Sequence, residues 1–368
     1  MKKINFKNIS NKRWSTVFIF IAVFINLAVI SFNYVIDPYQ FYRKATLYTF
    51  TIQDQRYLNA GLAKNYTYDS AIVGSSMTEN FYANDVNNIL HFKKTIKLPF
   101  QGASIFEETA LLHTILNTKK ASNIIFGLDI YSFSGEAIPL SKSSFFPQYL
   151  YDKNILNDLS YVLNFKVLEK SIKALKKPYD KNKVKQQLNS IYNWQKIWQT
   201  SFNIKNVLKL YNQEKKQFTN KTQQEKNKLL KHFHFSVLQH NFDNELLPII
   251  KANPHTDFYI FYPPYSILAY KLMYQQNILK DTIKFKQYIF NTLKHYKNVK
   301  IYDFQVADEI VKNLHNYKDV NHYTEDINRW MLEQMAKDNY LVREKNIEQY
   351  SQKMLENAKT YKVPNNAF

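Results

Sequence analysis

Ser70-Ala-Ile-Val-Gly-Ser-Ser-Met-Thr-Glu-Asn80 decides the fold. Residues 70–73 are apolar and β-rich, Gly74 stops them, and a serine pair and a candidate helix follow. A short run that is apolar throughout, rather than alternating, suits a strand covered on both faces of a parallel sheet. Four further runs share this character. They are 95–98, ahead of Pro99-Phe-Gln-Gly102; 123–130; 257–262, stopped by Pro263-Pro264; and 299–304. Helical patterns separate them. Residues 105–116 carry apolar side chains at Ile105, Leu112, Ile115 and Leu116, residues 244–251 precede the fourth run, and 285–295 precede the fifth. Residues 324–335 form a last helix, with Thr324 at the N-cap and Glu325 and Asp326 suited to the positive end of its dipole. Strands alternating with helices predict an α/β fold: a three-layer sandwich around about five mainly parallel strands.

Residues 151–241 interrupt this alternation. They are rich in Lys, Asn, Gln and aromatics and lack a strand pattern. Leu156, Leu159 and Leu163, then Ile172 and Leu175, then Ile204, Val207 and Leu208 recur at helical spacing. A structureless loop of this length is uncommon, so the stretch reads as an inserted helical subdomain or lid. Residues 67–150 and 242–340 then make the α/β domain. Residues 37–66 read as a linker and entry segment. Residues 341–368 read as a C-terminal helix or tail, expected to fray past Ser351.

The N-terminus points to a membrane. Residues 1–13 hold Lys2, Lys3, Lys7, Lys12 and Arg13 and no acid, and residues 17–35 carry no charge. That length is enough to cross a bilayer core. Trp14 and Tyr34 flank it as interfacial aromatics do, and the basic side predicts a cytoplasmic N-terminus with the remainder outside. The segment is longer than the apolar region of a cleaved signal peptide and lacks a clean small-residue cleavage site. This favours an uncleaved single-pass signal anchor over residues 14–36. Asn26 and Asn33 are read as amides tolerated within it, with a mark of a helix–helix contact as the alternative.

Composition narrows the chemistry. The 368 residues include 50 Lys+Arg against 30 Asp+Glu, a formal net charge of +20, with 5 Gly and no Cys. Neither G-x-G-x-x-G nor G-x-x-x-x-G-K-[ST] occurs, which argues against P-loop and dinucleotide chemistry. The missing cysteines exclude disulfides, thiolate metal sites and a Cys nucleophile. Outside the cytoplasm, the anionic neighbours of so basic a chain are lipid headgroups and envelope polymers rather than nucleic acid, with a Lys-rich composition that simply keeps the protein soluble as the equal alternative. The seven lysines of residues 170–185 read as a solvated helix face, with docking to an anionic polymer or membrane surface as the alternative. His232, His234 and His240 have no suitably spaced acid, so no metal site is expected.

Two segments carry reactive groups. Gly74-Ser75-Ser76 joins a strand to a candidate helix, which puts a serine at the carboxyl edge of the sheet, near amide N–H groups that stabilise an oxyanion. It is not the G-x-S-x-G elbow, because Thr78 stands where the second Gly belongs. Asp319-Val-Asn-His322 lies between the fifth run and the last helix. There a carboxylate can hold an imidazole whose other nitrogen takes a proton from serine. Each segment alone is a weak signal.

Together, in this order and with Gly102 after the second run, they resemble the SGNH (GDSL-like) hydrolase superfamily over about residues 68–335, the insertion excepted. The resemblance implies Ser76 as nucleophile, with Ser75 in a slot often held by Asp. It implies Gly102 as an oxyanion donor, Asp319 and His322 as the other triad members, and no metal or organic cofactor. Within the superfamily the chain resembles membrane-anchored envelope proteins of the DltD kind. That implies acyl transfer to an envelope polysaccharide or anionic glycopolymer beside a membrane-bound O-acyltransferase. One position departs. The superfamily's third block supplies an Asn donor to the oxyanion hole, and here Asp129 stands in its place. An ionised carboxylate donates no hydrogen bond, and losing one such donor typically costs roughly 10²–10³ in turnover. Ser132 is the nearest substitute donor. The alternative reading is a non-catalytic binding or scaffolding protein in an envelope-modification complex. Hydrolysis and transfer use the same triad, so both stay open.

Overall fold

A computed structural model describes residues 11–52, 54–137 and 146–364. Five strands form one sheet: β1 (Ser70–Gly74), β2 (Thr95–Pro99), β3 (Asn123–Gly127), β4 (Asp257–Tyr262) and β5 (Val299–Asp303), in the order β2-β1-β3-β4-β5. Every neighbouring pair is parallel. All five residues of β1 and of β2 are buried, as the unbroken apolar runs require. The chain steps from β1 to β2 on one side and returns to β3 on the other. The sheet therefore has its topological switch point between β1 and β3, where open α/β sheets hold ligands outside the strand carboxyl ends.

The helices follow the periodicity with shifted ends. Ile105–Asn117 opens on a capping box formed by Ser104 and Glu107. Leu279–Leu293 begins earlier than its apolar spacing suggests, and Leu247–Ala252 begins later, after a π-helical turn over Phe242–Leu246. Thr324 does occupy the N-cap of Glu325–Ala336, but its side chain makes no cap hydrogen bond. The third run is shorter than its hydropathy implies. It ends at Gly127 because the Asp129 carboxylate caps a 3₁₀ turn over Ile130–Phe133 through the Tyr131 N–H. The fifth run likewise ends at Asp303, whose side chain caps the next turn.

Residues 151–241 are helical, from Leu159–Val162 to Phe235–Asn241, and contribute no strand to the sheet. Three other expectations need correction. Residues 37–66 are not a linker: Asp37 is buried and accepts N–H bonds from Phe41, Tyr42 and Arg43, and Gln55–Asn65 buries Leu58, Ala60, Leu62 and Ala63. The C-terminal segment does not fray at Ser351. Ile347–Thr360 is one helix that buries Met354 and Ala358 and packs on Ile267–Gln275. Asn33 is not merely tolerated. It is fully buried, donates to the Val162 carbonyl (2.8 Å) and accepts from Ser171 Oγ (2.9 Å), which ties the N-terminal helix to the insertion. Asn26 only bonds Ala22 of its own helix.

Among the described residues one helix, Asn11–Ile36, is long and apolar enough to cross a membrane, and its apolar stretch is unburied. The basic tail expected at residues 1–13 lies outside the described residues as far as residue 10.

Candidate active site

The site grows from the carboxyl ends of β1 and β3. Gly74 and Gly127 pair across these strands, and Gly74 has φ +151°. The methyl of Thr78 sits over both. A Cβ at Gly127 would lie 2.5 Å from Thr78 Cγ2, and one at Gly74 would lie 2.8 Å from it. Glycine at both positions lets the serine turn fold tightly onto the sheet edge. That turn is a single 3₁₀ turn over Ser76–Thr78, not the α-helix the sequence suggests, and the next helix starts only at Ala83. Gly127→Ala therefore overpacks the turn and should cost about 1–3 kcal/mol. Adding Thr78→Ser, which removes the obstructing methyl, should recover part of the loss. Denaturation midpoints of the single and double variants measure the coupling.

Ser75 Oγ accepts from Met77 N (3.3 Å) and donates to Asp129 Oδ2 (2.6 Å). Ser76, half-buried, places its Oγ 2.9 Å from His322 Nε2. The other ring nitrogen lies 2.9 Å from Asp319 Oδ2 and 3.0 Å from Oδ1. Three side chains from opposite ends of the α/β domain thus form one continuous relay.

The Asp319–His322 loop is fixed from several sides. Its stem closes through an antiparallel bridge between Tyr317 and Tyr323. Asp319 Oδ1 accepts the N–H groups of Asn321 and His322, both at 2.8 Å, the local turn that Asp residues favour. Ser266, after β4, donates from its hydroxyl to the Val320 carbonyl (2.7 Å). Tyr323 OH donates to Met77 O (3.0 Å), which joins this loop directly to the serine turn. Burial pushes the Asp319 carboxyl up, but hydrogen bonding from His322 and the charges of His322 and Lys318 outweigh it and hold the group well below the usual carboxylate range. Asp319 is therefore an ionised acceptor that favours the His322 tautomer with its proton on Nδ1, leaving Nε2 to accept from Ser76.

Gly102 sits in the turn after β2 with φ +58°, where glycine is favoured. Gly74 pairs with Pro99, and Phe100 N bonds Gly74 O (2.9 Å), so Ser76 lies two residues and Gly102 three residues past paired positions on the same sheet edge. Asp129 reaches the site through Ser75. Its Oδ1 also accepts from the Tyr265 hydroxyl and from Tyr131 N. Pro263-Pro264-Tyr265 therefore braces the site: Tyr265 holds Asp129, and the Pro264 carbonyl accepts from Tyr317 OH at the base of the His322 loop. Ser132 is not a substitute oxyanion donor, because its hydroxyl donates to Glu108 Oε1.

Sequence reading missed three contributors. Trp194, from the insertion, meets the His322 ring edge-on (centroids 5.6 Å apart, 84° between planes) and donates its backbone N–H to Asn80 Oδ1 (3.0 Å). Lys318 Nζ lies over the Trp194 and Trp198 rings (4.8 and 5.0 Å) while pairing with Asp319 (3.1 Å). Lys97, fully buried in β2, donates to the carbonyls of Glu79 and Phe81 and pins the segment after the serine turn. Burial pulls its amine down to about 7, against the charges of Glu79 and Glu325. A lysine mid-strand and a tryptophan in a polar insertion are detectable signals, but their partners are set only by tertiary structure.

His234 and His240 take local partners, Ser236 and Asn244, and no group of three or more His, Asp or Glu able to hold a metal occurs among the described residues. No protein-family model matches the chain, and no curated protein matches it.

Proposed function

We propose that the protein is a membrane-anchored, serine-dependent acyltransferase or esterase of the SGNH (GDSL-like) kind, acting on an envelope polysaccharide or glycopolymer. The observation that carries this reading is the hydrogen-bonded series Ser76–His322–Asp319 at the switch point of a parallel sheet. In the proposed reaction His322 Nε2 takes the Ser76 proton as Oγ attacks an acyl carbonyl, and Asp319 steadies the imidazolium. Backbone N–H groups of Ser76 and Gly102 hold the oxyanion. His322 then protonates the leaving group, an acyl-Ser76 ester remains, and water or a sugar hydroxyl, deprotonated by His322, takes the acyl group. The residues supply every proton transfer without a cofactor. Residues 14–36 anchor the enzyme in the bilayer with the N-terminus in the cytoplasm, and a membrane-bound O-acyltransferase is the expected source or recipient of the acyl group.

Asp129 favours a second reading, a non-catalytic scaffold, because it offers a carboxylate where the superfamily offers an Asn donor. Its hydrogen bonds from Ser75, Tyr265 and Tyr131 give it a different task, bracing the serine turn. Incubation of the full chain with p-nitrophenyl acetate and an oligosaccharide acceptor separates the two readings. The enzyme reading expects nitrophenol release with an acetyl group on the Ser76 peptide, and acetylated acceptor if transfer prevails. Release no faster than buffer, from folded protein, would leave the scaffold.

A further inference from the structure

The first part of the insertion carries large apolar side chains exposed to solvent. Phe165 is 83% exposed, Leu156 81% and Ile155 79%. Scattered exposed apolar residues need no explanation, but a patterned group beside other apolar surface does. Here the pattern is regular. At 100° per residue, Phe165, Leu168, Ile172 and Leu175 fall within about 80° of one another around helix Phe165–Ala174. The neighbouring face buries Val167, Ser171 and Ala174 and packs on Asn11–Ile36. The remaining face carries Lys166, Lys170 and Lys173, with Glu169 paired to Lys173. This short helix thus has one face for the membrane-type helix, one apolar face on which Phe165, Ile172 and the C-cap Leu175 are exposed and Leu168 is half-buried, and one basic face.

Its height along Asn11–Ile36 is fixed. Asn33, in the last turn of that helix, bonds Val162 and Ser171 on either side of the Phe165 turn. Asp37, one residue past the helix, accepts from Tyr161 OH (2.8 Å). Arg43 stacks over Tyr34 (4.4 Å) and donates to the Tyr34 carbonyl, the interfacial pairing expected where such a helix leaves the bilayer.

We infer that this part of the insertion is a second membrane contact. Its apolar stripe lies in the headgroup–acyl boundary, and its lysines face the phosphates of anionic lipids. An amphipathic helix with a basic polar face binds in this way. The inference rests on the reading of Asn11–Ile36 as a membrane anchor. Its consequence is functional: two contacts, not one, fix the orientation of the body, and the same insertion delivers Trp194 to His322. The membrane surface and the candidate site are thereby coupled through one chain segment.

The chain contains no cysteine, so single substitutions can be labelled uniquely. The full chain, reconstituted in phosphatidylglycerol-containing vesicles, is labelled with an environment-sensitive fluorophore at Phe165→Cys, Ile172→Cys, Ile25→Cys or the exposed control Gln223→Cys. Quenching by shallow doxyl lipids at 165 and 172, by deep doxyl lipids at 25, and by aqueous iodide is then measured. Labels at 165 and 172 should be quenched by the doxyl lipids and show several-fold less iodide quenching than the label at 223. If iodide quenches 165 and 172 as strongly as 223 while lipid quenches 25, the inference fails and the anchor stands. If lipid does not quench 25, the anchor reading fails and takes the inference with it. Shielding of 165 and 172 from both quenchers would mean that protein covers the stripe, a second copy or a membrane partner, and would also overturn it.

Discussion

Ser76→Ala should remove acyl-enzyme formation and lower turnover of an activated ester by about 10⁵–10⁶-fold, the scale seen when a triad nucleophile is deleted. The hydroxyl is half-buried, and its side-chain hydrogen bond is to His322 Nε2. Its loss therefore leaves neither a large cavity nor a buried orphan, and stability should change by no more than about 0.5 kcal/mol. A variant that is folded and inert is the expected result. Ester turnover measured beside a thermal melt checks both halves. Equal turnover in wild type and variant would assign any observed hydrolysis to another group.

Asp319→Asn should cost about 10³–10⁴-fold in turnover. The amide oxygen can still accept the N–H groups of Asn321 and His322, so the local turn survives. What is lost is the negative charge facing His322 Nδ1 and Lys318. An amide can present its NH₂ to the ring as readily as its oxygen, which favours the wrong tautomer and leaves the imidazolium unsupported. The sign of the pH dependence follows from the lowered carboxyl pKa. A carboxyl group depressed in the folded state contributes stability above its unfolded value, about 3.9, and loses it as pH falls through the folded value. The wild type should thus be more stable than Asp319→Asn at neutral pH. The difference should shrink below about pH 4. Melts of both proteins between pH 3 and 7 provide the comparison.

The sheet was legible because its strands are buried on both faces, which writes them as unbroken apolar runs. Ser76, Asp319 and His322 were legible because each sits in a short local pattern at a strand end or before a helix. The boundaries were less so. Leu128 and Ile130 extend the apolar run past Gly127, but Asp129 between them caps a turn, and local capping overrides hydropathy there. In the C-terminal helix the polar residues outnumber the buried Met354 and Ala358, so composition suggested fraying where packing on Ile267–Gln275 holds the helix in place. Asn33 looked like a tolerated amide because its partners, Val162 and Ser171, lie more than a hundred residues away. Trp194 escaped for the same reason. Nothing within ten residues of it points to His322, and only the folded insertion brings the two together.

The tightness of the serine turn bears on chemistry as well as stability. Thr78 over the glycine pair, Ser75 on Asp129 and Tyr323 on Met77 fix the backbone from three directions, with Ser76 Oγ 2.9 Å from His322 Nε2. Preorganisation of this kind would spare the proposed reaction the entropy of assembling its groups. It has little use in a protein that only grips a polymer.

The most direct test is a fluorophosphonate probe on the detergent-solubilised full chain, with the adduct located by peptide mass spectrometry. The account predicts a single phosphonyl adduct on Ser76, absent from Ser76→Ala and from His322→Ala. A folded wild-type protein that stays unmodified, or an adduct on another residue that persists in Ser76→Ala, would contradict it.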